Sequence, residues 1–123
     1  MLGALLLGVP QATGLDIDAD ALAVAAENAR LNHLADRLHL IHGGPGAVDG
    51  NWPLVVTNIL AAPLIEMAPA LVRRVQSRGR LILSGIPSSL ESEVWQAYRH
   101  RGMRHLESRT RTGWTVLIAQ ASW

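Results

Sequence analysis

The continuous apolar run Leu54-Val55-Val56-Thr57-Asn58-Ile59 does most to constrain what this chain can fold into. A run without polar alternation suits a strand covered on both faces, which occurs where helices pack on each side of a sheet. Leu81-Ile82-Leu83-Ser84 is a second such run, and Ala12 to Ile17 and Leu38 to Ile41 are shorter ones. Between them lie apolar stripes at helical spacing. Leu22, Ala25, Ala26 and Ala29 form one; Leu64, Met67, Ala68, Leu71, Val72 and Val75 a second; Leu90, Val94, Ala97 and Tyr98 a third. Two closing strands, about His105 to Arg109 and Trp114 to Ala119, flank a turn at Thr112-Gly113 and should pair antiparallel. This alternation predicts an α/β chain with a mostly parallel sheet and one antiparallel C-terminal hairpin. No internal repeat or linker divides it, so residues 1–123 read as a single domain.

Local signals refine the element ends. Leu2 to Leu7 reads as the end of a helix stopped by Gly8 and Pro10. Asp18 or Asp20 can cap the next helix, with Glu27, Arg30 and Asn32 toward water. Pro63 suits the first turn of the second helix, and Pro69 should kink that helix or delay its true start. Ser88 and Glu91 have capping-box spacing, and Gly102 ends the helix that follows.

Composition narrows the function classes. Hydrophobic residues make up 49% of the chain and charged residues 17%, which is globular rather than disordered. Eleven basic side chains against ten acidic ones leave no overall field to draw the chain to nucleic acid or an anionic membrane. The basic stretch from Arg99 and Arg101 through Arg104, Arg109 and Arg111 reads as a solvated helix end and a polar hairpin. There is no cysteine, which rules out disulfides and Cys-based zinc sites and fits a cytoplasmic location. The apolar opening is too short to span a bilayer and lacks the basic start of a signal peptide. His39 and His42 read as surface residues rather than metal ligands, and no metal site is expected. Gly43-Gly44-Pro45-Gly46 lacks the Lys-Ser/Thr of a phosphate loop and reads as a turn.

Three stretches together carry a family resemblance. Gly14-Leu15-Asp16-Ile17-Asp18, with Ala21 and Glu27-Asn28-Ala29, is similar to the second-strand motif of the PrmA family, the class I S-adenosylmethionine-dependent methyltransferases of large-subunit ribosomal protein eleven. Thr57-Asn58-Ile59-Leu60-Ala61-Ala62-Pro63-Leu64-Ile65, continuing into Ala68-Pro69-Ala70-Leu71, resembles the family's fourth-strand loop. Gly79-Arg80-Leu81-Ile82-Leu83-Ser84-Gly85-Ile86 resembles its fifth strand, and Trp114 sits where its closing strand often carries Trp. The resemblance covers essentially the whole chain. It implies a Rossmann-like methyltransferase sheet truncated at its N-terminus: aligned through Gly8 and Asp16, Met1 falls just beyond the family's glycine-rich cofactor loop. The family's substrate-recognition domain, first strand and glycine loop would then lie outside this partial catalytic domain. Gly43 to Gly46 stands where the family has an acidic position after its third strand.

Two residues stand out as site candidates. In folds of this kind, ligands bind outside the carboxyl ends of the parallel strands. Asp16 closes the second strand of that scheme, where its two carboxylate oxygens can accept both hydroxyls of a ribose, or help cap the following helix. Asn58 closes the fourth, where its side-chain carbonyl can accept a hydrogen bond from an amine, or bond its own backbone as a turn residue. The resemblance implies that Asp16 holds the ribose of S-adenosylmethionine. It implies that Asn58 serves both cofactor binding and catalysis, with lysine side chains and the N-terminal amine of the ribosomal protein as substrates. Three other readings compete with an active methyltransferase. One is a catalytically silent remnant or interaction module of the same fold. A second is a sheet completed by a partner strand or a dimer. The third is a nicotinamide dinucleotide enzyme, against which the Asn58 segment argues.

Overall fold

The computed structural model describes residues 12–16, 18–44, 46 and 49–123 of the chain. The expected helix over Leu2 to Leu7 and the end of the first strand at Ile17 lie outside them. The chain forms two compact units, residues 1–48 and residues 49–123. Parallel strand pairs, antiparallel closing strands and intervening helices give the mixed α/β architecture that the sequence pattern predicts.

In the first unit, β1 (Ala12–Asp16) pairs in parallel with β2 (Leu38–His42), joined by α1 (Ala19–Leu31) and a 3-10 turn at Ala35–Arg37. A parallel pair needs such a crossover, because a tight turn can only reverse the chain. Asp18 caps α1: its carboxylate accepts the Asp20 N–H at 2.9 Å, satisfying one of the donors that a helix start leaves open. Ala29, Leu34 and Leu38 make the small core, with Leu40 against it. Leu22 and Ala25 are half-buried on the same stripe, whereas Ala26, expected on it, is exposed. The buried stripe is narrower than predicted, since Ala26 sits one residue round the helix from Ala25.

The second unit is a four-stranded sheet in the order β3 (Trp52–Asn58), β4 (Val75–Pro87), β6 (Trp114–Ala121), β5 (Met103–Arg111). β3 and β4 run parallel, and β4, β6 and β5 are successively antiparallel. Helices α2 (Ala61–Glu66), α3 (Ala68–Arg73) and α4 (Glu91–Arg99) supply Leu64, Leu71, Val94 and Tyr98 to a core with Leu81, Leu83, Ile86 and Leu117. On β6, Thr115, Leu117, Ala119 and Ala121 are buried while the residues between them are less so, the period-two signature of a strand packed on one face. β3 departs from the expectation of burial on both faces. Val55 is half-buried against the core, but Leu54 and Val56 on the opposite face are 47% and 55% exposed.

Pro69 breaks the long helix expected here. It has no N–H to continue the ladder, and the chain re-enters as α3 with Pro69 in its first turn and Met67 between the two helices. Val75, expected to extend that helix, is buried at the start of β4 instead. The capping box at Ser88 and Glu91 does not form. Ser88 begins a 3-10 turn, its N–H donates to the Gly113 carbonyl at 2.8 Å, and α4 starts behind Leu90 with no side-chain cap. The turn at Thr112-Gly113 is as expected, with φ of 50° and 82°, the double left-handed geometry of a two-residue hairpin loop.

Near the helix break, the Leu64 carbonyl accepts a 2.6 Å hydrogen bond from the Tyr98 hydroxyl, which is fully buried. Tyr98→Phe is expected to destabilise the fold by about 1–2 kcal/mol, because it leaves a buried carbonyl unpaired. Burial also pushes the Tyr98 hydroxyl well above the ordinary tyrosine range. A raised folded-state value contributes stability that is complete below the unfolded value of about 10 and is lost as pH rises beyond it. The chain has no lysine and no second tyrosine, so no other side chain titrates in that window. Urea midpoints should fall between pH 9 and pH 11 in the parent chain and stay nearly level in Tyr98→Phe.

Candidate functional site

Asn58 ends β3 and lies opposite Ser84 in the parallel register with β4. Two side-chain bonds lace this end of the pair. The Ser84 hydroxyl donates to the Thr57 carbonyl at 2.7 Å, and the Thr57 hydroxyl reaches the Ile82 carbonyl at 3.5 Å. Immediately after, Ile59 turns inward against the core and Leu60, in extended backbone and 69% exposed, precedes α2. The strand tip is therefore held from behind while Asn58 and Leu60 face outward.

The Asn58 side chain is exposed and makes no hydrogen bond to any described residue. The competing role, a turn residue bonding its own backbone, is thus not the one it adopts. None of its hydrogen-bonding groups is taken up by a described residue.

Across from it, β4 carries an irregularity between Leu83 and Ile86, where pairing with β6 slips and Gly85 takes a φ of 79°. A methyl group on Gly85 would lie 2.7 Å from the Asn58 amide oxygen and 2.9 Å from the Ile59 carbonyl oxygen. Neither Ser84 nor Gly85 receives a role from the sequence alone. The Ser-Gly step inside an apolar strand run is the signal that marks the irregularity.

Asp16 ends β1, with His42 opposite it in the parallel register with β2. It therefore stands at the carboxyl end of a strand in the first unit, as Asn58 does in the second. The helix-capping duty that competes for Asp16 falls to Asp18. His39 and His42 on β2 are both exposed, and among the described residues no three His, Asp or Glu side chains converge to hold a metal ion. Among the same residues no helix is long and apolar enough to cross a membrane. The arginines at 99, 101, 104, 109 and 111 are all exposed, and Arg109 is paired with Glu107 at 2.8 Å on β5.

Comparison with known proteins adds to this geometry. The family model described as ribosomal protein L11 methyltransferase (PrmA) matches residues 1–122. A ribosomal protein L11 methyltransferase from Chromohalobacter salexigens is 42% identical over 121 residues, 98% of this chain and 40% of its own length. Further relatives of the same name are covered over 37% and 39% of their lengths, so the chain spans about two fifths of the relatives it matches. Among solved structures, a ribosomal protein L11 methylase from Lactobacillus delbrueckii subsp. bulgaricus aligns with a TM-score of 0.91 at 28% identity, covering 98% of this chain and 63% of that one. The N-methyltransferase NodS from Bradyrhizobium japonicum in complex with S-adenosyl-L-homocysteine aligns with a TM-score of 0.72 over 92% of this chain and 67% of that one. At 10% identity that likeness is one of fold.

Proposed function

The chain belongs to the PrmA family of ribosomal protein L11 methyltransferases, and from that premise we propose that it forms part of an enzyme moving a methyl group from S-adenosylmethionine to amine nitrogens of ribosomal protein L11. The observation that carries this reading is Asn58, an exposed amide with open hydrogen-bonding positions at the carboxyl tip of a parallel strand. The name of the relatives supports the substrate, and a fold neighbour holding S-adenosyl-L-homocysteine supports the cofactor.

The residues present suit that cofactor and that substrate. An ionised carboxylate at position 16 can accept both ribose hydroxyls, a geometry that a donor side chain cannot provide. Bound S-adenosylmethionine supplies a methyl carbon on a positively charged sulfur, open to in-line attack. The task left to the protein is aim. The Asn58 side-chain carbonyl accepts an N–H from the incoming amine and so fixes the direction of its lone pair. The Ile59 backbone carbonyl stands next in line as a further acceptor, whereas the Leu60 carbonyl already accepts the Leu64 N–H at 3.1 Å. The amine must arrive neutral, and enclosure in apolar surroundings penalises its charged form and lowers its pKa.

The test is transfer of labelled methyl groups to purified ribosomal protein L11. The enzyme is an extended chain in which the segment preceding the matched region of the Chromohalobacter salexigens relative is joined to these 123 residues. Incorporation into L11 that depends on both halves is expected. A folded extended chain that binds cofactor yet labels no L11 contradicts the substrate, and one that binds no cofactor contradicts the enzymatic reading altogether.

A further inference from the structure

We propose that Gly85 is a positioning residue for Asn58: its missing side chain forms the recess in which the Asn58 amide oxygen rests. The inference rests on the reading of Asn58 just given and adds the means by which its amide is oriented.

Three observations carry it. Gly85 sits directly after Ser84, the residue opposite Asn58 in the β3–β4 register. Its φ of 79° is one that side-chain-bearing residues rarely adopt, so the irregularity in β4 requires glycine on backbone grounds alone. The same irregularity turns the Gly85 Cα toward the neighbouring strand tip. A carbon there would stand 2.7 Å from the Asn58 amide oxygen, well inside contact distance. Bulges of this kind beside strand ends serve to re-aim a neighbouring group. The group re-aimed here makes no hydrogen bond to a described residue, so its rotamer depends on shape. Behind it, the Ser84 hydroxyl on the Thr57 carbonyl keeps the two strand ends in register. Floor and clamp together favour the seat with the amide oxygen against Gly85, where an unconfined asparagine would sample several.

The substitution to make is Gly85→Ala, in the full chain and in the extended chain. In the full chain, the Asn58 side-chain amide resonances in a nitrogen–proton correlation spectrum should move by clearly more than those of any other asparagine or glutamine. In the extended chain, kcat for methyl transfer should fall at least tenfold with the KM for cofactor within twofold of the parent. The same change on an Asn58→Ala background should cost less than twofold further. Because alanine at this φ also strains the backbone, thermal midpoints are read for the same four proteins. The loss on Gly85→Ala should be smaller once Asn58 is alanine, a coupling readable even if the single variant is barely folded.

Unmoved Asn58 amide resonances, or equal losses of midpoint in both backgrounds, would overturn the positioning role. Displaced resonances together with coupled midpoints, but with transfer indifferent to Asn58→Ala, would uphold the recess and overturn the catalytic reading of Asn58 instead.

Discussion

Asn58→Ala in the extended chain is expected to lower kcat for methyl transfer to ribosomal protein L11 by about 100- to 1,000-fold, the range seen when one aligned hydrogen-bonding group is removed from a reacting centre. The reasoning is geometric. A nitrogen lone pair a few tens of degrees off the line of attack reacts poorly, and the amide at a strand tip is the group proposed to set that line. Asn58 is exposed and hydrogen-bonded to none of the described residues, so its removal costs the fold little. The thermal midpoint should stay within a few degrees of the parent. Because the loss falls on aim, raising the L11 concentration should not restore the rate. Asn58→Asp is informative beside it: a carboxylate still accepts from an amine, yet its charge favours the protonated form that cannot attack. That variant should recover activity only as pH rises. A change in kcat of less than threefold for Asn58→Ala would remove this residue from the chemistry.

Asp16→Ala carries the second large expectation. Two hydrogen bonds from ribose hydroxyls to an ionised carboxylate are each worth about 1.5–3 kcal/mol, and losing both should weaken S-adenosyl-L-homocysteine binding about 100-fold or more. Asp16→Asn keeps one acceptor oxygen and should lie between the two, roughly tenfold weaker than the parent. Calorimetry on the extended chain reads both. The pattern across the two sites discriminates more sharply than either number. Asp16 variants should shift the cofactor dissociation constant and keep most of kcat at saturation, whereas the loss in Asn58→Ala should fall chiefly on kcat. Loss of α1 is not expected in either Asp16 variant, because the cap of that helix is Asp18.

Much of this organisation is legible in the sequence because it is written locally. The helical stripe of Leu90, Val94 and Tyr98, the cap at Asp18, the break at Pro69 and the hairpin at Thr112-Gly113 each depend on residues within a turn or two of one another. What was not legible depends on partners far away in the chain. β4 begins at Val75, well before its apolar run, and its polar start is bonded to distant residues: the Arg78 N–H and Ser77 hydroxyl both donate to the Trp123 carbonyl, and the Gln120 amide donates to the Arg78 carbonyl. No periodicity in Gln76-Ser77-Arg78-Gly79 reveals that. The capping box at Ser88 fails for a similar reason, since the Ser88 N–H is claimed by Gly113 across the hairpin. Leu54 and Val56 show the converse error, an apolar run read as burial on both faces where the described residues cover one.

The candidate site divides the same way. Asp16 and Asn58 are visible as polar residues at the ends of apolar runs, and both do end strands. Gly85 is not visible as a neighbour of Asn58, because that relation exists only through the parallel register of Asn58 with Ser84, a pairing of residues 26 apart in number. The two candidates belong to separate compact units, and each is placed by the strand it ends.

Both proposed roles can be tested in one titration. The extended chain, labelled for backbone amide detection, is titrated with S-adenosyl-L-homocysteine while the resonances of Asp16 and of Asn58 through Leu60 are followed together. The roles proposed for Asp16 and Asn58 in holding the cofactor predict that both groups move as ligand is added, and that Asp16→Ala weakens binding. Silence at either group through saturation would contradict the role proposed for it.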